Sequence, residues 1–210
     1  MNQIKYIFRD FRWTVINLDF KKHWYVSQLA KIYNTTKNEI RTSLSDPMSK
    51  FRRWETDEKQ LWQEFSHNIW KDIHPDCLKL FHRKNDMYWS PYKSILNFRD
   101  KLTKLWYKNI ILSDEVSPQW KNAEEIWRYD WFEDKILSCD VWMSKYDDVE
   151  NNTTKIFDYI LKKYWIKWEE AVFVDDAAKN CEVANKLLIQ TVLAQNSRQT
   201  IRDLKNILNI

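Results

Sequence analysis

Ile4-Lys5-Tyr6-Ile7-Phe8-Arg9-Asp10-Phe11-Arg12-Trp13-Thr14 is the stretch on which the fold turns. Its apolar, aromatic and β-branched residues read as a buried strand. The run ends at a carboxylate, Asp10, with Thr14 four places on. Ligands in open α/β sheets bind beyond the carboxyl ends of the strands, so a carboxylate there is a candidate nucleophile or metal ligand. The plainer reading of such a residue is a helix cap.

The C-terminal part of the chain favours the first reading, because from residue 91 onward helical and strand patterns alternate. Tyr92 to Trp106 reads as a helix and Asn109 to Asp114 as a strand, followed by a helix over Pro118 to Tyr129. Lys135 to Val141 reads as a strand and Thr153 to Tyr164 as a helix. Ala171-Val172-Phe173-Val174-Asp175-Asp176 is the clearest strand, followed by a helix to Leu188, a strand over Thr191 to Ala194 and a helix over Thr200 to Leu208. This alternation predicts an α/β fold, a Rossmann-like parallel sheet flanked by helices with right-handed crossovers.

Between the first strand and that core, roughly 20–90 is helical and highly charged. Thr36-Lys37-Asn38-Glu39 has the form of a capping box, and Thr56 is expected to cap the next helix. Leu61, Trp62, Phe65, Ile69 and Trp70 form one helical stripe, read as bundle core. The expected organisation is a core of 1–18 and 91–210 with a small helical insert over 19–90.

The 210 residues suit one ordinary domain, or a core with a small insert. Lys and Arg total 34 against 30 Asp and Glu, a net charge of +4, which argues against a nucleic-acid partner. Cys77, Cys139 and Cys181 lack metal-site spacing and read as free thiols, and His23, His67, His74 and His82 do not pair at ligand spacing. With neither a signal-peptide pattern nor a run of membrane-spanning length, the expectation is a cytoplasmic protein without a membrane partner.

Asp10, Ser113, Lys145, Asp175 and Asp176 all fall at or just after predicted strand ends, hence at one edge of the sheet. Carboxylates beside a lysine and a hydroxyl suit a phosphate held with a divalent ion. Taken singly, Ser113 reads as a cap, Lys145 as a solvated cation and Asp175-Asp176 as a helix N-terminal turn. One site explains all of them together.

These motifs resemble those of the haloacid dehalogenase-like (HAD) hydrolase superfamily. Asp10-Phe11-Arg12-Trp13-Thr14 is similar to its first motif, Leu112-Ser113-Asp114 to its second, Val141-Trp142-Met143-Ser144-Lys145-Tyr146-Asp147 to its third, and Phe173-Val174-Asp175-Asp176-Ala177-Ala178-Lys179-Asn180 to its fourth. The insert over 19–90 resembles the family's helical cap. The branch it looks closest to holds sugar-phosphate phosphatases, including a glucose-1-phosphate phosphatase, and the phosphatase domain of soluble epoxide hydrolases.

The resemblance implies a phosphatase acting on a small phosphorylated metabolite. Asp10 would attack phosphorus and form an aspartyl-phosphate, and Ser113 and Lys145 would hold the phosphoryl oxygens. Asp10, the main-chain carbonyl of Arg12, and Asp175 or Asp176 would bind Mg²⁺. The chain departs from the pattern at Arg12, where most phosphatases of the family carry a second Asp as general acid and base. That departure keeps two alternatives open, a dehalogenase and a catalytically silent binding protein.

Glycine is absent and tryptophan occurs 13 times, where average usage gives about 15 glycines. Trp13, Trp54, Trp106, Trp142 and Trp165 stand where turns of such a fold call for glycine. The codon UGA is read as glycine in some bacteria and as tryptophan in other codes, so glycine at these positions is an expectation of the coding sequence.

Overall fold

The computed structural model describes residues 4–12, 14–18, 24–52, 55–81, 89–115 and 132–210. The helix expected over Pro118 to Tyr129, along with Trp13, Trp54, His23 and His82, lies outside them. The chain divides into two compact units: Met1–Leu18, Trp89–Asp114 and Arg128–Ile210 in one, Asp19–Tyr88 and Glu115–Trp127 in the other.

The second unit is helical in its described residues: α1 (Trp24–Ile32), α2 (Lys37–Arg52), α3 (Glu58–Ile69) and α4 (Pro75–Phe81). Leu29, Ile40, Leu61, Trp62, Phe65 and Cys77 form its buried centre. Trp62 meets Phe65 and Phe81 edge-on at 5.9 and 5.7 Å, a favoured aromatic geometry. The expected stripe is buried from Leu61 to Ile69, but Trp70 departs from it, taking a left-handed conformation beyond the helix end with its side chain exposed.

The cap of α3 is Asp57, not Thr56. Asp57 Oδ1 accepts from the Gln60 amide at 2.7 Å, and Gln60 Oε1 accepts from the Asp57 amide at 2.8 Å. A reciprocal box needs an acceptor three residues on; Gln60 supplies one, whereas Lys59, three after Thr56, only donates. At α2, Thr36 Oγ1 accepts from the Glu39 amide at 3.1 Å as expected, while the Glu39 carboxylate accepts from the Thr35 hydroxyl.

The first unit carries β1 (Tyr6–Arg9), β2 (Ile16–Leu18), β3 (Trp89–Pro91), β4 (Lys108–Ser113), β5 (Asp134–Leu137), β6 (Ala171–Asp175) and β7 (Gln190–Leu193). Among the described residues, five strands form a parallel sheet in the order β5-β4-β1-β6-β7. Its helices are α5 (Lys93–Lys104), α6 (Ser138–Val141), α7 (Lys145–Asn151), α8 (Lys155–Tyr164), α9 (Ala178–Lys186) and α10 (Ser197–Leu208).

Strand side chains alternate between two cores. Phe8, Ile110, Leu112 and Phe173 pack with Ile156, Phe157 and Ile160 of α8 and Val183 and Ala184 of α9. Ile7, Val172 and Val174 pack on the opposite face with Phe98 and Leu102 of α5 and Leu204 and Leu208 of α10. With both faces covered, the central strands are mostly apolar, the pattern of a parallel sheet, and the buried Arg9 of β1 donates to Asn109 Oδ1 of β4 at 3.3 Å.

Three features differ from the sequence expectation: the end of β5, the β2–β3 ribbon, and the helix α7, which the sequence did not signal. The strand expected to reach Val141 stops at Leu137, and Ser138–Val141 forms a short helical turn. Ser-Cys-Asp has weak strand preference. A two-stranded antiparallel ribbon, β2 with β3, was not anticipated, because three-residue strands are too short to show a period.

Trp70, Trp106, Trp142 and Trp165 have φ of 57°, 67°, 55° and 53° and follow α3, α5, α6 and α8 respectively. Three close Schellman-type ends: the Ile166 amide donates to Leu161, the Tyr107 amide to Leu102 and the Lys71 amide to Ser66. Glycine suits such positions because it lacks the Cβ that penalises the left-handed region.

Candidate active site

Asp10 follows β1, Ser113 ends β4 and Asp175 ends β6, so three neighbouring parallel strands deliver them to one edge of the sheet. The Asp10 amide donates to Val174 O at 2.8 Å, extending the β1–β6 ladder by one residue and fixing the backbone of Asp10 beside Asp175. The Thr14 hydroxyl donates to the main-chain oxygen of Asp10, which ties the following loop back.

Lys145 completes the cluster from the first residue of α7. Its Nζ lies 2.6 Å from Asp10 Oδ1 and 2.7 Å from Asp175 Oδ2, and donates to Leu112 O at 3.1 Å. The residue is 1% exposed. Ser113 Oγ is 3.4 Å from the same Asp10 Oδ1. The predicted residues Asp10, Ser113, Lys145 and Asp175 are thus brought together. Arg12 lies half-buried two residues past Asp10, and Asp176 stands at the exposed end of β6.

Two residues given no role in the sequence reading shape the site. Asp114 accepts from the amides of Lys145 at 2.9 Å and Tyr146 at 3.1 Å, anchoring the start of α7 to the end of β4. Asn180 Nδ2 lies 3.1 Å from each oxygen of Asp175, and the Ala177 amide donates to Asp175 Oδ1 at 2.8 Å. The sequence signals for Asn180 are its place in the stretch similar to the fourth motif and its position five residues after Asp175, on the first turn of α9.

Burial drives the Asp10 carboxyl up to about 7; Lys145 opposes the rise, and the charges of Asp175 and Asp176 add to it. Burial pushes the Lys145 ammonium down, but Asp10, Asp175 and Asp114 outweigh it and hold the group protonated well above the usual lysine range. Burial also raises Asp114, and shielding with the adjacent Asp175 charge raises Asp176. Four carboxylates around one ammonium leave the site short of positive charge.

Among the described residues no three His, Cys, Asp or Glu side chains close into a metal cage. The donor set present is instead carboxylate and carbonyl oxygen. That set fits a hard dication, which commonly takes one or two carboxylates and completes its shell with water and substrate phosphate. Chemically, the arrangement offers a desolvated carboxylate with an ammonium and a hydroxyl that could hold an oxyanion.

No family profile and no curated protein matches the chain. Solved structures do. A HAD-family enzyme from Bacteroides thetaiotaomicron, in complex with magnesium and inorganic phosphate, is 20% identical with a TM-score of 0.69, covering 92% of this chain and 96% of its own. A HAD phosphatase from Thermococcus onnurineus is 20% identical with a TM-score of 0.64, covering 98% of each chain. An L-2-haloacid dehalogenase from Xanthobacter autotrophicus, with chloropropionic acid covalently bound, is 11% identical with a TM-score of 0.59, covering 90% of this chain and 76% of its own. The chain, with its parallel sheet of order β5-β4-β1-β6-β7, therefore has the fold of these HAD-family structures.

Proposed function

We propose that the chain is a Mg²⁺-dependent phosphatase that hydrolyses a small phosphorylated metabolite through an aspartyl-phosphate at Asp10. The observation that carries this reading is the convergence of Lys145 Nζ and Ser113 Oγ on one oxygen of Asp10, at 2.6 and 3.4 Å. An ammonium and a hydroxyl so placed would hold the oxygens of a phosphoryl group seated on that carboxylate. The magnesium-and-phosphate complex of the Bacteroides neighbour supports the same chemistry.

Asp10, the main-chain carbonyl of Arg12, and Asp175 or Asp176 would hold Mg²⁺, which when bound offsets charge on the phosphoryl oxygens. Lys145 and Ser113 both meet the Asp10 carboxylate at Oδ1, so Oδ2 is the oxygen assigned to attack. Asn180 and the Ala177 amide keep Asp175 oriented while Lys145 bridges it to Asp10. Asp114 fixes the backbone from which Lys145 reaches the site. The helical unit is proposed to select the substrate. Among the described residues no helix is long and apolar enough to cross a membrane.

Hydrolysis of p-nitrophenyl phosphate with and without Mg²⁺, wild type beside Asp10→Asn, tests the reading. Turnover that needs both Mg²⁺ and Asp10 is expected. The dehalogenase reading is supported by the missing carboxylate at Arg12 and by the Xanthobacter neighbour. It predicts halide release from a 2-haloacid without metal, and no phosphate release.

A further inference from the structure

We propose that this site prefers phosphate groups whose leaving group departs as a weakly basic anion, such as an acyl phosphate, a phosphoanhydride or an aryl ester, over alkyl esters such as sugar phosphates. The proposal rests on the phosphatase reading and names its substrate class. It follows from where, among the described residues, the protons around Asp10 are committed.

The three hydrogen bonds of the Lys145 ammonium go to Asp10, Asp175 and Leu112 O. Asp175 is occupied on Oδ1 by Ala177 and Asn180 and on Oδ2 by Lys145 and Asn180. Asp114 accepts two backbone amides, one on each oxygen. On the segment that follows the nucleophile, Phe11 to Val15, the one ionisable side chain is Arg12. A guanidinium does not release its proton in a protein, so it cannot act as a general acid.

An alkoxide needs a proton to leave; a carboxylate, a phosphate or an aryloxide does not. In the first step the Asp10 Oδ2–phosphorus bond forms as the bond from phosphorus to the leaving oxygen breaks, and the electron pair departs on that oxygen. In the second, water adds to phosphorus, the pair returns to the Asp10 carboxylate, and the proton of water stays on the released phosphate.

The test is kcat/KM with Mg²⁺ across aryl and alkyl phosphate monoesters of graded leaving-group basicity, with acetyl phosphate and pyrophosphate as the acyl and anhydride arms. Rates are expected to fall steeply with leaving-group basicity, placing alkyl esters about 10²-fold or more below aryl ones, the size of a missing general acid. Arg12→Asp should raise alkyl rates selectively and flatten the series. A flat wild-type series overturns the proposal, as does an Arg12→Asp series as steep as wild type. A wild-type series that steepens only in Asp176→Asn overturns it too, by making Asp176 the donor. Failure of the phosphatase reading looks different: no turnover of any ester in folded protein, or turnover indifferent to Asp10→Asn.

Independently of any activity, we infer that Trp70, Trp106, Trp142 and Trp165 occupy glycine positions of the protein as its own cells make it. All four combine φ between 53° and 67° with 75% to 94% exposure, so burial offsets little of the penalty on their Cβ atoms, although Trp70 keeps a ring contact with His67 at 5.5 Å. Three of the other four described residues with positive φ are asparagines, which tolerate that region, and the fourth is Leu188. A source that reads UGA as glycine would place tryptophan at such turns in a sequence translated by another code. UGA codons at the four positions, and glycine in the masses of the matching peptides from native protein, are expected; UGG codons overturn the inference. In recombinant protein each Trp→Gly change should raise the melting midpoint above the matching Trp→Ala, and equal midpoints would remove the backbone argument.

Discussion

Asp10→Asn should make the metal-free protein more stable than wild type at pH 8, by a margin that shrinks as the pH falls. Asp10 has a folded-state value of about 7 against 3.8 for a free carboxyl, and its side chain is 11% exposed. That gap of about three units is worth about 4 kcal/mol. The direction follows from proton counts. Between about pH 4 and pH 7 the folded state binds more protons here than the unfolded chain, so wild-type stability falls as pH rises through that window. Asparagine has the same shape and no charge to bury, so it escapes the cost. Urea unfolding of both proteins from pH 4.5 to 8, with chelator present, should show the difference widening by about 2–4 kcal/mol with most of the change below pH 7. A difference constant to within about 0.5 kcal/mol, or one that widens in favour of wild type, would refute the reasoning. Confirmation would show that the fold spends stability to keep a charged nucleophile out of water.

Replacing the cation instead of the anion should be worse. Lys145→Met strands Asp10 and Asp175 together and is expected to cost about 3–5 kcal/mol at pH 8, less near pH 5, by the same unfolding assay. Asp114→Ala removes the acceptor of two amides at the start of α7 and should cost about 2–3 kcal/mol, measurable as a lowered urea midpoint. Asp148→Ala should cost about 3 kcal/mol and speed amide exchange at the first turn of α8, because the buried Asp148 carboxylate accepts from Thr153 Oγ1 and the Lys155 and Ile156 amides. Phe173→Ala should cost about 3–5 kcal/mol in thermal or urea unfolding, since the ring is fully buried and meets Phe157 edge-on at 5.1 Å.

The site was legible where topology alone decides position. In a parallel sheet the carboxyl ends of neighbouring strands share an edge, so Asp10, Ser113 and Asp175 could be placed together from alternation of strands and helices. Lys145 was legible only as a residue near a strand end, because β5 stops at Leu137 and the lysine comes from α7. Asp114 and Asn180 were hidden for a different reason: their partners lie across the fold or one helical turn away, and hydrogen-bond pairing has no sequence period. Trp70 was misassigned because helical spacing carries on past the point where the backbone turns left-handed. At Asp57 the cap could have been found by asking which residue three places on is able to accept.

The measurement closest to the central claim is the trapping of a covalent phosphate on Asp10. Protein mixed with labelled substrate and Mg²⁺ is quenched in acid within one turnover, reduced with borohydride and mapped by peptide mass. An acyl phosphate is reduced where a free carboxylate is not, and reduction releases its phosphate, so the account predicts label on the protein before reduction, loss of that label with reduction at Asp10 alone afterwards, and neither in Asp10→Asn. Turnover with no trapped intermediate at Asp10, or with label on another residue, would contradict it.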